Sequence, residues 1–466
     1  MTVRQQGESF RDSLGIVSAE GKRSWIYPRQ PSGHFYRLRT ALSILLLGIL
    51  FGTPLLRING HPFMLFNVVE RKFILFGMGF GPHDFYLFVL GMITLIVFII
   101  LFTVVFGRLF CGWVCPQTVL MEMVFRKIDY WIEGDHRQQR LLNESSWTGV
   151  KTGKKILKYV LYFGLSFLIA NTLLAYVIGV DQLATIVTDP PSSHVAGLTA
   201  ILVFSAVFYW IFIWFREQAC ILVCPYGRLQ GVLLDANSIV IAYDHKRGEP
   251  RGKIRRNEQR SGGDCIDCNQ CVEVCPTGID IRNGTQLECV NCTACIDACD
   301  NVMQKIQKPK RLIRYASANG IATNTGFRWT RRIIGYSIGL TLLVALLTGL
   351  VATRTEFDVT VLRTPGMFYQ EQADGKLSNV YDIKVLNKSF SEVPLTLKLQ
   401  SPEGEVKMIG GDIVVPPQGI VEEKLLIILK RNDLRSLNTQ IRIGVYNGEK
   451  MVQSISTSFL GPGRQP

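Results

Sequence analysis

The chain has 466 residues, of which 48% are hydrophobic and 19% charged, and a formal net charge of +14. Such a charge would suit nucleic acid, but no nucleic-acid motif is present. The basic residues instead gather beside long apolar runs, where the positive-inside rule and anionic headgroups place them, so membrane lipid is the implied partner.

Residues 1–36 read as an N-terminal tail without a signal-peptide pattern. The first apolar run begins near Ala41, behind "FYRLRT", and no small-residue cleavage site follows, so it reads as an uncleaved anchor. Five uncharged apolar stretches follow along the chain: Thr40–Leu56, Phe85–Gly107, Tyr159–Val180, the later part of Pro190–Phe215, and Ile333–Thr353. A helix needs about 20 residues to cross the hydrocarbon core, which makes the first run short and the other four sufficient. Lys and Arg number seven in residues 1–39, nine in 108–158 and eighteen in 216–332, against three in 57–84 and none in 181–194. This asymmetry predicts a cytoplasmic N-terminus and puts residues 354–466 on the far face, which in a Gram-negative bacterium means an inner-membrane protein with those residues in the periplasm.

Membrane helices one to four occupy residues 37–215 and carry "FCGWVCPQ", a C-x3-C-P motif at 111–116 with Cys111 and Cys115. The segment 216–332 opens with "ACILVCPYG", a second such motif at 220–225 with Cys220 and Cys224. Downstream, Asp135–His136 and Asp244–His245 repeat at the same 109-residue offset, so the unit is duplicated. Proline disfavours a helical conformation in the residue before it and favours the first position of a new helix. Cys115 and Cys224 should therefore each cap a new helix, where the helix dipole acidifies a thiol, with Arg108 and Arg228 adding positive charge. Four such thiols suit soft ions, above all Cu(I), although zinc or a further iron–sulfur cluster would also fit. His136 and His245 are candidate extra metal ligands, with solvated basic-loop residues as the alternative.

Eight cysteines follow in two consecutive C-x2-C-x2-C-x3-C runs inside a domain at about 258–305. This is the bacterial ferredoxin spacing, in which the fourth cysteine of each run serves the other cluster. Cluster one then takes Cys265, Cys268, Cys271 and Cys299, and cluster two takes Cys289, Cys292, Cys295 and Cys275. Two complete runs at this spacing point to two 4Fe-4S clusters rather than structural zinc. After the fifth membrane helix (333–353), residues 354–466 alternate as in "FDVTVLR", "YDIKVLN" and "TQIRIGVYN" between Gly, Pro, Asn and Ser turns, and they contain no cysteine. They read as an immunoglobulin-like all-β sandwich. The expected architecture is a multi-domain membrane protein: a five-crossing α-helical bundle, an inserted two-cluster ferredoxin-like domain and a C-terminal sandwich.

This combination, carried by "IYPRQPSGHFYRLR", "GRLFCGWVCPQ", "CILVCPYGRLQ" and the sandwich, closely resembles the CcoG/FixG family of cbb3-type cytochrome oxidase accessory proteins. The first two-thirds is also similar to quinol-dehydrogenase-type membrane polyferredoxins. The CcoG/FixG resemblance implies a cupric reductase that converts Cu(II) to Cu(I) for oxidase assembly, with Cys111, Cys115, Cys220 and Cys224 as the reacting, copper-binding residues. It also implies a cytoplasmic electron donor, and a copper chaperone or transporter and oxidase subunits as partners. The competing readings are a quinol-linked relay to a periplasmic reductase, whose site would need polar groups such as Asn171 inside the crossings, and a non-enzymatic assembly scaffold.

Overall fold

The computed structural model describes residues 23–68, 72–253, 262–326, 328–372, 374–411, 413–434 and 436–462. Most of the expected N-terminal tail, the first residues of the expected ferredoxin-like domain and the side chain of Arg228 lie outside the described residues. Among the described residues five helices are long and apolar enough to cross a membrane: His34–Leu55, Pro82–Phe106, Gly149–Ile178, Val195–Phe215 and Arg331–Ala352. Helix is the form that lets a single apolar segment satisfy its own backbone in lipid. The first span starts six residues before the apolar run because its basic first turns are held by protein. Asp297 accepts hydrogen bonds from the Phe35 and Tyr36 amides (3.1 and 2.8 Å), capping that helix from a distant segment. A Cβ at Gly33 would fall 2.3 Å from the Asp297 carboxyl carbon, so the approach needs glycine. The third span is capped by Thr148, whose hydroxyl accepts from the Lys151 amide. It ends at Gly179 (φ 87°), and a further helix, Val180–Thr188, leads toward the fourth span.

The chain divides into two compact units, 1–56 with 90–345 and 57–89 with 346–466. In the first unit, Leu120, Met121, Phe125, Tyr162, Ile169 and Phe212 form an apolar core, with the Phe125 and Phe212 rings stacked at 4.3 Å. A buried ionic group sits beside it. Asp129 pairs with Arg216 (2.7 Å) and Lys158 (2.8 Å) and accepts from the Tyr162 hydroxyl (2.8 Å). Glu133 binds Lys155 (2.6 Å) and Lys158 (3.1 Å). Burial alone would raise the Asp129 carboxyl, but the charges and hydrogen bonds of Arg216 and Lys158 outweigh it and hold the group well below the ordinary carboxylate range.

In the second unit, strands Met64–Asn67, Lys72–Leu75 and Met78–Phe80 form a small antiparallel sheet between the first two spans. The alternation of the C-terminal segment becomes a sandwich. One sheet orders Gly404–Met408, Ile420–Lys430, Lys376–Asn387 and Phe357–Arg363. The other orders Ile413–Val415, Val393–Ser401, Asn438–Asn447 and Lys450–Leu460. Inward residues such as Leu425, Ile427, Ile443 and Phe459 are fully buried between the sheets. Within this unit Asp84 binds both Arg354 (2.7 Å) and Lys388 (3.1 Å), and His61 stacks on Phe390.

Candidate iron-sulfur and thiol site

Each ferredoxin-type run bends around its thiols by placing two residues in the left-handed region. Asp267 and Asn269 flank Cys268 (φ 52° and 56°), and Asn291 and Thr293 flank Cys292 (φ 54° and 65°). Asp and Asn tolerate this conformation, whereas a β-branched threonine does so only when its surroundings enforce it. Thr293 is fully buried. Cys265, Cys268, Cys271 and Cys299 line one cavity, whose remaining wall includes Ile266, Val302, Met303 and Leu312. Cys275, Cys289, Cys292 and Cys295 line a second cavity, which Cys271 also lines, with Ile241, Ile279, Ile281 and Val290 among its walls. Two sets of four thiols in apolar shells are a donor set that fits 4Fe-4S clusters. Helix Ala294–Lys305 and the antiparallel pairing of Val240–Tyr243 with Ile313–Ala316 hold these loops in place.

The two C-x3-C-P motifs share one backbone design. Cys115 N donates to Phe110 O and Cys224 N to Ala219 O, both at 2.9 Å and both spanning five residues. Each of these cysteines is extended and caps the helix that its proline begins, Pro116–Leu120 and Pro225–Leu233. The first motif also reaches the helix that follows the second. The Cys111 thiol donates to Gln230 Oε1 at 3.4 Å, and Arg108 donates to the Gly227 carbonyl. Burial pushes the Cys111 thiol up to about 11 and Cys220 to about 12, and each also feels the charge of the thiols in the other motif. All four helix-end thiols therefore lie within electrostatic reach. Among the described residues no three His, Cys, Asp or Glu side chains stand close enough to close on a single ion, these thiols included.

The Asp-His repeat has a local structural role. Asp135 and Asp244 are the capping residues of helices His136–Glu144 and His245–Gly248, and each histidine is the first residue of its helix. His136 lines a separate cleft of about 590 Å³ with Arg137, Arg140 and Cys275, and His245 is exposed.

The first motif is pressed against the second thiol cavity. A Cβ at Gly112 would lie 2.4 Å from the Val290 carbonyl oxygen and 2.7 Å from that of Asn291. Arg39, from the first span, donates to the carbonyls of Gly112 and Cys292, both at 3.0 Å. Trp113 donates to the Tyr315 hydroxyl (3.1 Å), which donates to the Asn291 carbonyl (3.3 Å). Two stretches that are distant in sequence thus meet at residues 289–292.

Comparison with known proteins assigns the same parts. Residues 88–134 match a family described as a 4Fe-4S binding domain, 215–318 a 4Fe-4S dicluster domain, and 347–462 the IG-like fold at the C-terminal of FixG. Protein RdxB of Cereibacter sphaeroides is 33% identical over 88% of this chain and 90% of its own. Protein RdxA of the same organism is 34% identical over 82% and 83%, and the nitrogen fixation protein FixG of Rhizobium meliloti 30% over 88% and 87%. The chain belongs to the FixG family.

As a FixG-family protein it is a multi-pass membrane iron–sulfur oxidoreductase. Within this FixG-type site, sequence reasoning missed Arg39, Gln230 and the fit at Gly112. The small residue between the cysteines of "CGW", where the other motif has Ile221, was the one signal available.

Proposed function

We propose that this FixG-family protein reduces Cu(II) to Cu(I) at Cys111, Cys115, Cys220 and Cys224 for assembly of a cbb3-type cytochrome oxidase. The observation that carries this reading is the meeting of the first thiol motif with the helix that follows the second and with the 289–292 loop. The bound iron–sulfur clusters supply single electrons at low potential. Each Cu(II) takes one electron to become Cu(I), with no bond made to substrate other than metal–thiolate contacts. Thiolates prefer Cu(I), so the site favours the reduced ion and leaves it soft-bound for transfer. Because burial raises Cys111 and Cys220, metal binding there must displace protons, and copper affinity should rise with pH. Within the spans Thr94, Asn171 and Ser205 bond back to their own helices, while Thr103 also meets the Tyr226 hydroxyl at 3.1 Å and the buried Ser166 hydroxyl has no partner among the described residues.

In this reading the thiol end faces the cytoplasm of a bacterial inner membrane, where an electron donor docks. The sandwich faces the periplasm, toward oxidase subunits or a copper chaperone or transporter. The match of residues 88–134 to a 4Fe-4S binding domain favours a second reading, in which the helix-end thiols take iron. Anaerobically purified protein assayed for iron, copper and cupric reduction separates the two. Changing all four helix-end cysteines to alanine should abolish cupric reduction while leaving the iron of two clusters in place. Reduction that persists in that variant overturns the copper reading, and a loss of iron beyond two clusters supports the second.

A further inference from the structure

The two cluster sites differ in the charges built around them. Arg39 is 4% exposed, and among the described residues it donates to the Gly112 and Cys292 carbonyls rather than to a carboxylate. Arg108, 6% exposed, stands in the motif that presses on residues 290–291 and donates to the Gly227 carbonyl. Among the described residues neither arginine forms an ion pair. The nearby Glu122 is already bound to Arg126 at 2.9 Å. At the first site the neighbouring cation is Arg282, and it is paired at 2.6 Å with both Asp267 and Asp280. Asp300 adds a further negative charge beside Cys299.

We propose that Arg39 and Arg108 hold the second cluster site, formed by Cys275, Cys289, Cys292 and Cys295, at a higher reduction potential than the first. The inference rests on both sites holding clusters and deepens the proposed delivery of electrons to the helix-end thiols. Reduction adds one negative charge to a cluster. A buried, uncompensated guanidinium stabilises that charge, while an arginine outnumbered by carboxylates does not. Arg39 reaches this site through the Cys292 carbonyl, and the positive charge of Arg108 is felt at Cys289. Exposure of Cys268 acts the other way by letting water stabilise the reduced first site. Two whole charges in a dry junction outweigh the wetting of one thiol. The gradient then runs from the site with an exposed cysteine toward the site that abuts Gly112.

The test is an EPR-monitored reductive titration of the anaerobically purified, full-length, cluster-loaded protein without copper. Two waves are expected. Arg39→Gln and Arg108→Gln should each lower the higher wave by about tenfold in its reduction equilibrium, about 59 mV for one electron. They should leave the lower wave in place, and Arg282→Gln should move only the lower one. Arg39→Lys, which keeps the charge, should restore the higher wave. If Arg39→Gln fails to load both clusters, iron content will show it and Arg108→Gln carries the test. Coincident waves, or arginine variants that move the lower wave or neither, overturn the proposal. Because the titration omits copper, its failure is separate from failure of the cupric-reductase reading.

Discussion

The two copies of the C-x3-C-P unit share the turn that presents the second cysteine, although the first reaches it through an α-helical turn and the second through a π-helical one, and their side chains differ. Gly107 and Arg216, 109 residues apart, are both left-handed (φ 55° and 50°), and both copies close with the five-residue hydrogen bond that presents the second cysteine. Yet Arg108 corresponds to Glu217, Gly112 to Ile221 and Asp129 to Ser238. Glycine lets the first copy seat against the 289–292 loop. The second copy places an arginine where the first has glycine, and an ion pair to Asp129 accompanies that unfavoured backbone. Duplication thus preserved a turn that presents thiols, while its two instances took different neighbours: the cluster loop for one, a buried ionic group for the other.

The largest expected effect separates the copies at Asp129. Asp129→Asn should destabilise the protein by about 3–5 kcal/mol, because Arg216 and Lys158 lose a buried partner. Ser238→Ala, at the matching position, should cost about 1 kcal/mol, the value of a hydrogen bond such as the one it makes to Val104 O. Thermal unfolding in one detergent compares them, and equal losses would break the distinction. The sign with pH follows from the lowered Asp129 carboxyl. Its contribution is complete above the ordinary carboxylate value of about 4 and drains away as pH falls toward the lower folded value. The stability gap between wild type and Asp129→Asn should therefore be flat from pH 8 to 6 and narrow in acid.

Gly112→Ala should cost about 1–3 kcal/mol by overpacking and lower the iron content, since the added carbon meets backbone oxygens of the cluster loop. Ile221→Ala should keep its iron. Retention of full iron by Gly112→Ala would show that the first copy does not seat the loop. The smallest contrast lies at the repeated aspartates. Asp244 accepts from the Arg247 amide of its own helix and pairs with Arg314, so Asp244→Ala should cost about 1 kcal/mol. Asp135 makes no such capping bond and, with its carboxylate half-exposed, accepts from the Gln30 amide at 3.2 Å and meets His136 at 3.0 Å, so Asp135→Ala should cost less than loss of the capped and ion-paired Asp244.

Much of this could be read along the chain because it is local. Apolar run length marks the five spans, thiol spacing marks two clusters, alternation marks the sandwich, and Cys-Pro marks a helix start. What needed distant partners could not be read. The early start of the first span depends on Asp297, and the strands at 64–80 have too short a period to announce themselves. Asp-His at a regular offset offered His136 and His245 as candidate metal ligands or solvated loop residues, and the fold sets each pair at the start of a helix.

Covalent spacing and side-chain type act over a few residues, so they specify turns, helices and ligand sets before any folding is known. The seating of Gly112 on residues 290–291, the bond from Arg39 to the Cys292 carbonyl and the bond from Cys111 to Gln230 join segments more than a hundred residues apart. Only packing of the whole unit brings such groups into a dry interior, where a single charge or methyl group changes the chemistry.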